Sequence, residues 1–147
     1  MDDPYDLNRF VTAQGHIYDR ALAELRAGRK QSHWMWYVFP QFAGLGMSPT
    51  SHRYAIGSIE EAQAYLAHPL LGPRLVECCE ALLEVAPVGG GGRTAYEIMG
   101  PLDDVKLRSC VTLFAKVAPS GSVFERVLEK YFEGKPDEAT LRLMGVD

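Results

Sequence analysis

Residues 32–41, SHWMWYVFPQ, gather more chemically capable side chains than any other stretch of the chain. Four of the ten are aromatic (Trp34, Trp36, Tyr37 and Phe39), with His33 before them and Gln41 after. A basic turn, Arg29-Lys30, leads into the stretch, and a polar cluster holding Ser48 and Arg53 follows it. Indole and phenol rings offer flat faces for stacking, lysine and arginine hold anions, and amides such as Gln14 and Gln41 read polar edges. Aromatic surface meeting a few convergent polar groups is the usual make-up of a small-molecule site. A second charged group, Asp103, Asp104 and Lys106, opens a later helix. There the positive end of the helix dipole favours a carboxylate and attracts an anion.

Each of these residues also has a plainer explanation. Clustered tryptophans bury large areas and are commonly core. His33 fits a satisfied structural histidine, Asp103 and Asp104 fit helix caps, and Arg29-Lys30 fits a solvated turn. Against the purely structural account, polar groups mixed into an aromatic core cost free energy unless they are paired. Leucines would have served packing alone. His16, His52 and His68 lack metal-ligand spacing and no CxxC occurs, so neither a metal nor another cofactor is expected. Cys78 and Cys79 are neighbours, which on a helix point about 100° apart, so with Cys110 they read as buried free thiols.

The elements that must position these groups are helical. Residues 6–27 carry apolar side chains at helical spacing from Leu7 to Leu25, with Asp6 as cap and Gly28 as stop. Arg9 and Glu24 fall among the residues assigned to the wet side. Ser32 is placed to cap a short aromatic helix that Pro40 must end. Residues 42–57, with three glycines and Pro49, read as a loop. Ser58 with Glu61 forms a capping box for a helix to Ala67, and a second helix spans residues 70–85. Thr94 with Glu97 opens a short helix, and Asp103 or Asp104 caps another to Val117. Ser122 with Glu125 starts the next, and Asp137 starts the last, stopped by Gly145. With no credible hairpin and no internal repeat, the expectation is an all-α, multihelical single domain over residues 1–147, with about six to eight helices. A glycine run at 89–92 lacks the lysine and Ser/Thr of a phosphate loop, so 87–93 is expected to be a flexible surface loop.

A chain of 147 residues suits one domain that buries roughly two-thirds of its unfolded surface. A net charge of −4 argues against broad nucleic-acid or anionic-membrane binding. No apolar run approaches a membrane span and the start of the chain lacks signal-peptide character, so a cytoplasmic protein is expected.

The HWMWYxFPQ core at residues 33–41, preceded by Asp6-Leu7 and Phe10-Val11, followed by Gly44-Leu45-Gly46 and closed by Asp103-Asp104-x-Lys106-Leu107, resembles the bacterial domain-of-unknown-function family 1810. The likeness spans nearly the whole chain. It implies a small all-helical fold and no particular activity. Members are sometimes labelled calpastatin, but the lysine- and proline-rich disordered composition of such an inhibitor is missing here. The Asp104-x-Lys106 helix leading to Thr112-Leu113-Phe114 is similar to a helix of N-glycosidases acting on ADP-ribose adducts and riboflavin intermediates.

That second likeness implies a pocket for a nucleotide or ADP-ribose-like ligand, with hydrolysis of an N-glycosidic bond as its chemistry. Trp34, Trp36 and Tyr37 would stack, and Arg29, Lys30 and Arg53 would hold phosphate. Gln14, Gln41, His33 and Ser48 would complete the binding set. Asp103, Asp104 and Lys106 would supply catalysis, a carboxylate activating water or stabilising an oxocarbenium ion. The alternative is a non-enzymatic interaction domain in which the aromatic stretch is core or partner surface. The oligomeric state is left open.

Overall fold

Helix α8 (Asp103–Val117) is the axis around which the rest is packed, and its sequence explains why. Cys110, Val111, Thr112, Leu113 and Phe114 are all buried, so its middle turn is covered all round, as a central helix requires. The computed structural model describes residues 3–85 and 94–146. The other nine helices are α1 (Asn8–Gln14), α2 (Tyr18–Arg26), α3 (Met35–Val38), α4 (Pro49–Arg53), α5 (Ile59–Ala67), α6 (Leu71–Leu83), α7 (Ala95–Met99), α9 (Val123–Phe132) and α10 (Glu138–Met144). Helices α5, α7, α9 and α10 pack on α8; α6 packs on α2, α5 and α9; α1 supports α3. Among the described residues there is no strand, only a single parallel bridge between Phe42 and Ile56.

The all-helical expectation holds, with ten helices among the described residues instead of six to eight. The surplus has two sources. The expected first helix breaks at Gly15-His16, giving α1 and α2, because Gly15 closes a tight turn onto Thr12 O at 3.2 Å. The expected loop 42–57 holds the one-turn helix α4, which Ser48 caps by accepting from Ser51 N at 3.1 Å. The glycine run lies outside the described residues.

Several expected caps change hands. Asp6 does not cap α1; it sits at φ 50°, and the Asp3 carboxylate accepts from Leu7 N and Asn8 N at 2.8 and 2.9 Å. Ser32 does not cap α3, whose N-cap is Trp34. Asp103 and Asp104 lie inside the first turn of α8, and the cap position belongs to Leu102 at φ 70°. The Ser58, Thr94, Ser122 and Asp137 caps stand as expected, the Thr94–Glu97 box with both of its hydrogen bonds. The expected Ser58–Glu61 box is only half formed, since the Glu61 carboxylate accepts from Gly57 N at 3.0 Å and pairs with Arg9.

Two charged residues of α1 and α2 assigned to water are instead structural. Arg9 Nη2 pairs with Glu61 Oε2 at 2.6 Å, with side-chain exposures of 8% and 9%. The same guanidinium donates to the carbonyls of Tyr5, Asp6, Arg53 and Ala55, tying α1 to the segment around α4. Glu24 turns inward beneath the aromatic stretch.

Candidate functional site

Helix α3 is a single turn, and its short length sorts its side chains. Met35 and Val38 lie three apart and are buried, and Trp34 and Phe39 at the ends join the core. Trp36 and Tyr37, one position on from each other, are left half-buried on the outward side. Two polar residues inside the protein hold this turn in place. Gln14 Nε2 donates to Tyr37 O at 2.8 Å, and Glu24 Oε1 accepts from Trp34 Nε1 at 2.9 Å.

Glu24 is the main anchor of the entry to α3. Its carboxylate also accepts from Gln31 N, Ser32 N and Ser32 Oγ at 2.8, 3.0 and 2.6 Å. Burial alone would raise this carboxyl, but the hydrogen bonds from Ser32, Gln31 and Trp34 favour the charged form and bring it down to about 2. The turn is further fixed by Lys30 N donating to Ile98 O at 2.7 Å, which joins it to α7.

Beside α3 opens a cleft of about 330 Å³. Its wall brings together eight residues expected at a site: Lys30, His33, Trp34, Trp36, Tyr37, Ser48, Asp103 and Lys106. Met35 and Thr50 complete it. The start of α8 therefore does face the aromatic stretch. At the centre, Asp103 Oδ2 lies 2.8 Å from Lys30 Nζ and its Oδ1 3.2 Å from Lys106 Nζ. Lys30, only 6% exposed, also donates to Ser32 O at 2.5 Å, so the solvated-turn account of this residue is wrong. Each ammonium lies over an indole: Lys30 Nζ is 4.8 Å from the Trp34 centroid, and Lys106 Nζ 4.8 Å from that of Trp36.

Two cations and one anion leave the clamp with a net positive charge. Asp103 holds the two ammonium groups in place, one at each oxygen. Trp36 borders two further cavities, of about 220 and 340 Å³. It is held by a close approach of Gly46, where an added Cβ would stand 2.9 Å from Trp36 Cη2 and 2.4 Å from Ser51 Cβ.

The remaining expected residues lie elsewhere. Gln14 is buried among Tyr37 O, Tyr65 Oη and Arg74, acting on the cleft only through the backbone of Tyr37. Gln41 is buried at the second side of Trp36. Arg29 is exposed and outside the cleft wall, as is Arg53, whose guanidinium rests on the Tyr54 ring at 5.6 Å. Asp104 accepts from Val105 N at 2.9 Å and does not line the cleft. Among the described residues no group of His, Cys, Asp and Glu is arranged to hold a metal.

Sequence reasoning missed Glu24, and a signal for it existed. It lies three residues after Ala21 and four before Gly28, both buried, so helical spacing puts it beside the inward stripe.

The family model described as a protein of unknown function (DUF1810) matches residues 4–144. The chain belongs to this family, as the HWMWYxFPQ stretch implied. The crystal structure of a conserved hypothetical protein from Mycobacterium tuberculosis is similar at 52% identity and a TM-score of 0.91, covering 99% of this chain and 100% of that one. No curated protein matches the chain.

Proposed function

We propose that this member of the family is a cytoplasmic small-molecule-binding protein whose cleft takes an anionic ligand of the nucleotide or ADP-ribose kind. The single observation that carries the reading is the Asp103-bridged pair of lysines seated on two indoles. Packing has no use for two ammonium groups side by side over tryptophans. A phosphate does, since it needs fixed cations with hydrogen-bond donors. Asp103 holds the pair together without cancelling it, and His33 at the rim adds a further donor. The ligand's ring would pack against Trp36. A cleft of about 330 Å³ lies at the small end of ligand sites and suits a mononucleotide-sized part.

Binding is favoured over N-glycosidic hydrolysis. Both oxygens of Asp103 face a lysine, Oδ2 at 2.8 Å from Lys30 Nζ and Oδ1 at 3.2 Å from Lys106 Nζ, so an attacking water would have to share the carboxylate with two ammonium groups. A cytoplasmic setting accords with three buried free thiols. Among the described residues no helix is long and apolar enough to cross a membrane.

The test is a thermal-shift screen of the purified protein against AMP, ADP-ribose, NAD and orthophosphate. A ligand at one hundred times its dissociation constant adds about 2.7 kcal/mol to stability. A shift that vanishes in Lys106→Ala supports the reading. A flat screen across the panel favours the interaction-domain alternative, for which exposed Leu102 (72%) and Val105 (55%) would be the contact surface.

A further inference from the structure

Across Trp36 from the lysine cleft lies a second cavity, of about 340 Å³, and it contains the one side-chain anomaly of the described core. Gln41 forms part of its wall and is 3% exposed, and its Nε2 is the single buried side-chain nitrogen or oxygen without a hydrogen-bond partner among the described residues. A buried amide N–H without an acceptor carries its desolvation penalty uncompensated, so such groups point to a missing partner. The residue is not loosely placed. Its main-chain oxygen accepts from Ile56 N at 2.8 Å and it follows Pro40, whose φ is fixed.

The rest of the cavity says what kind of partner is missing. Leu45, Leu102, Val105 and Ala139 give it a largely apolar wall, with Ser109 and Asp137 beside them. Lys106 and Trp36 border both this cavity and the lysine cleft, which places the two cavities side by side with Lys106 between them. Within the lysine cleft, each indole already has an ammonium over its ring.

We propose that this cavity is the subsite for the uncharged ring of the ligand, and that the ring carries a lactam, a ring carbonyl beside a ring N–H. A side-chain amide donates through its N–H groups and accepts through its oxygen, so it matches a lactam edge with two parallel hydrogen bonds. Gln41 selects such a ring, while the lysine pair takes the phosphate. The ligand class is a lactam-bearing ring joined to a phosphate, as in oxopurine, uracil or flavin nucleotides. The proposal rests on the anion-binding reading of the lysine cleft.

The experiment measures calorimetric affinities of the full-length protein for IMP, UMP and FMN, with AMP and orthophosphate as the non-lactam arms. At least one lactam nucleotide is expected to bind ten-fold or more tightly than AMP. Gln41→Leu is expected to erase that preference, leave AMP and orthophosphate binding intact, and keep or raise the melting temperature, since it removes an unpaired donor. Val105→Phe, at a half-exposed position, fills the cavity and is expected to erase the lactam preference by weakening every nucleotide while leaving orthophosphate binding intact, and it stands in should Gln41→Leu not fold. Binding of AMP and the lactam nucleotides with equal affinity, unchanged in both variants, overturns the subsite but leaves the lysine cleft standing. Failure of every arm, orthophosphate included, overturns both.

Discussion

Lys30 and Lys106, far apart in the chain, are joined through one carboxylate: Asp103 Oδ2 lies 2.8 Å from the first and Oδ1 3.2 Å from the second. The bridge couples the turn before α3 to the first turn of α8, and so fixes the aromatic stretch against the central helix. Its strength and its function can be separated.

Asp103→Asn removes the shared anion and leaves Lys30, only 6% exposed, as an unpaired cation. Breaking one partner of a largely buried pair should lower stability by about 2–4 kcal/mol in urea denaturation. Orthophosphate affinity, by contrast, should hold or rise in calorimetry, because the cleft gains positive charge. Loss of phosphate binding with stability unchanged would show that Asp103 itself touches the ligand.

Glu24 makes the stability of this region depend on acid. Its carboxyl lies at about 2 in the folded protein against an ordinary 4.5, so its contribution is fully present above 4.5. The contribution fades as the pH falls below 4.5 and is lost as it passes 2. Relative to Glu24→Gln, the wild type should therefore be more stable at pH 7, with a gap that closes towards pH 2. Urea denaturation of both proteins at several pH values reads it. A gap that stays constant would mean the hydrogen bonds of Ser32 and Trp34 do not depend on the charge.

Much of this arrangement can be read from the sequence, and the parts that cannot share a cause. Period and capping chemistry locate α5, α6, α9 and α10, because Ser58, Ser122 and Asp137 cap through local hydrogen bonds three residues long. The concentration of aromatic and polar residues at 33–48 marks the cleft. Hidden from the sequence are pairings at long separation. Arg9 with Glu61 and Lys30 with Asp103 are pairs that only the closed chain reveals, and helical spacing turns Glu24 inward without naming Trp34 as its partner. The same holds for Asp103 and Asp104, alike on paper, of which only the first faces the cleft.

Gly46→Ala tests whether Trp36 must sit where it does. The added methyl would meet Ser51 Cβ at 2.4 Å and Trp36 Cη2 at 2.9 Å; Ser51 Cβ cannot retreat without moving α4, and the indole must swing from its place. Overpacking of this kind costs about 1–3 kcal/mol. Ligand affinity should fall more steeply than stability, since Trp36 borders all the cavities around the site. Equal affinity in the variant would show that the position of the indole is immaterial.

Arg9→Met probes the scaffold alone. It strands Glu61 and four backbone carbonyls that Arg9 now serves, and should cost about 3–5 kcal/mol in chemical denaturation. At a temperature where the variant stays folded, nucleotide affinity should match the wild type.

The most direct measurement uses a property of the chain itself. It has two tryptophans, and both line the lysine cleft, so intrinsic fluorescence reports on that cleft with no other indole contributing. Titration with AMP, ADP-ribose and orthophosphate should give a saturable change in the wild type, weakened ten-fold or more in Lys106→Ala at nearly unchanged melting temperature. Absence of any saturable change up to millimolar ligand, or an identical curve in Lys106→Ala, would contradict anion binding by the lysine pair.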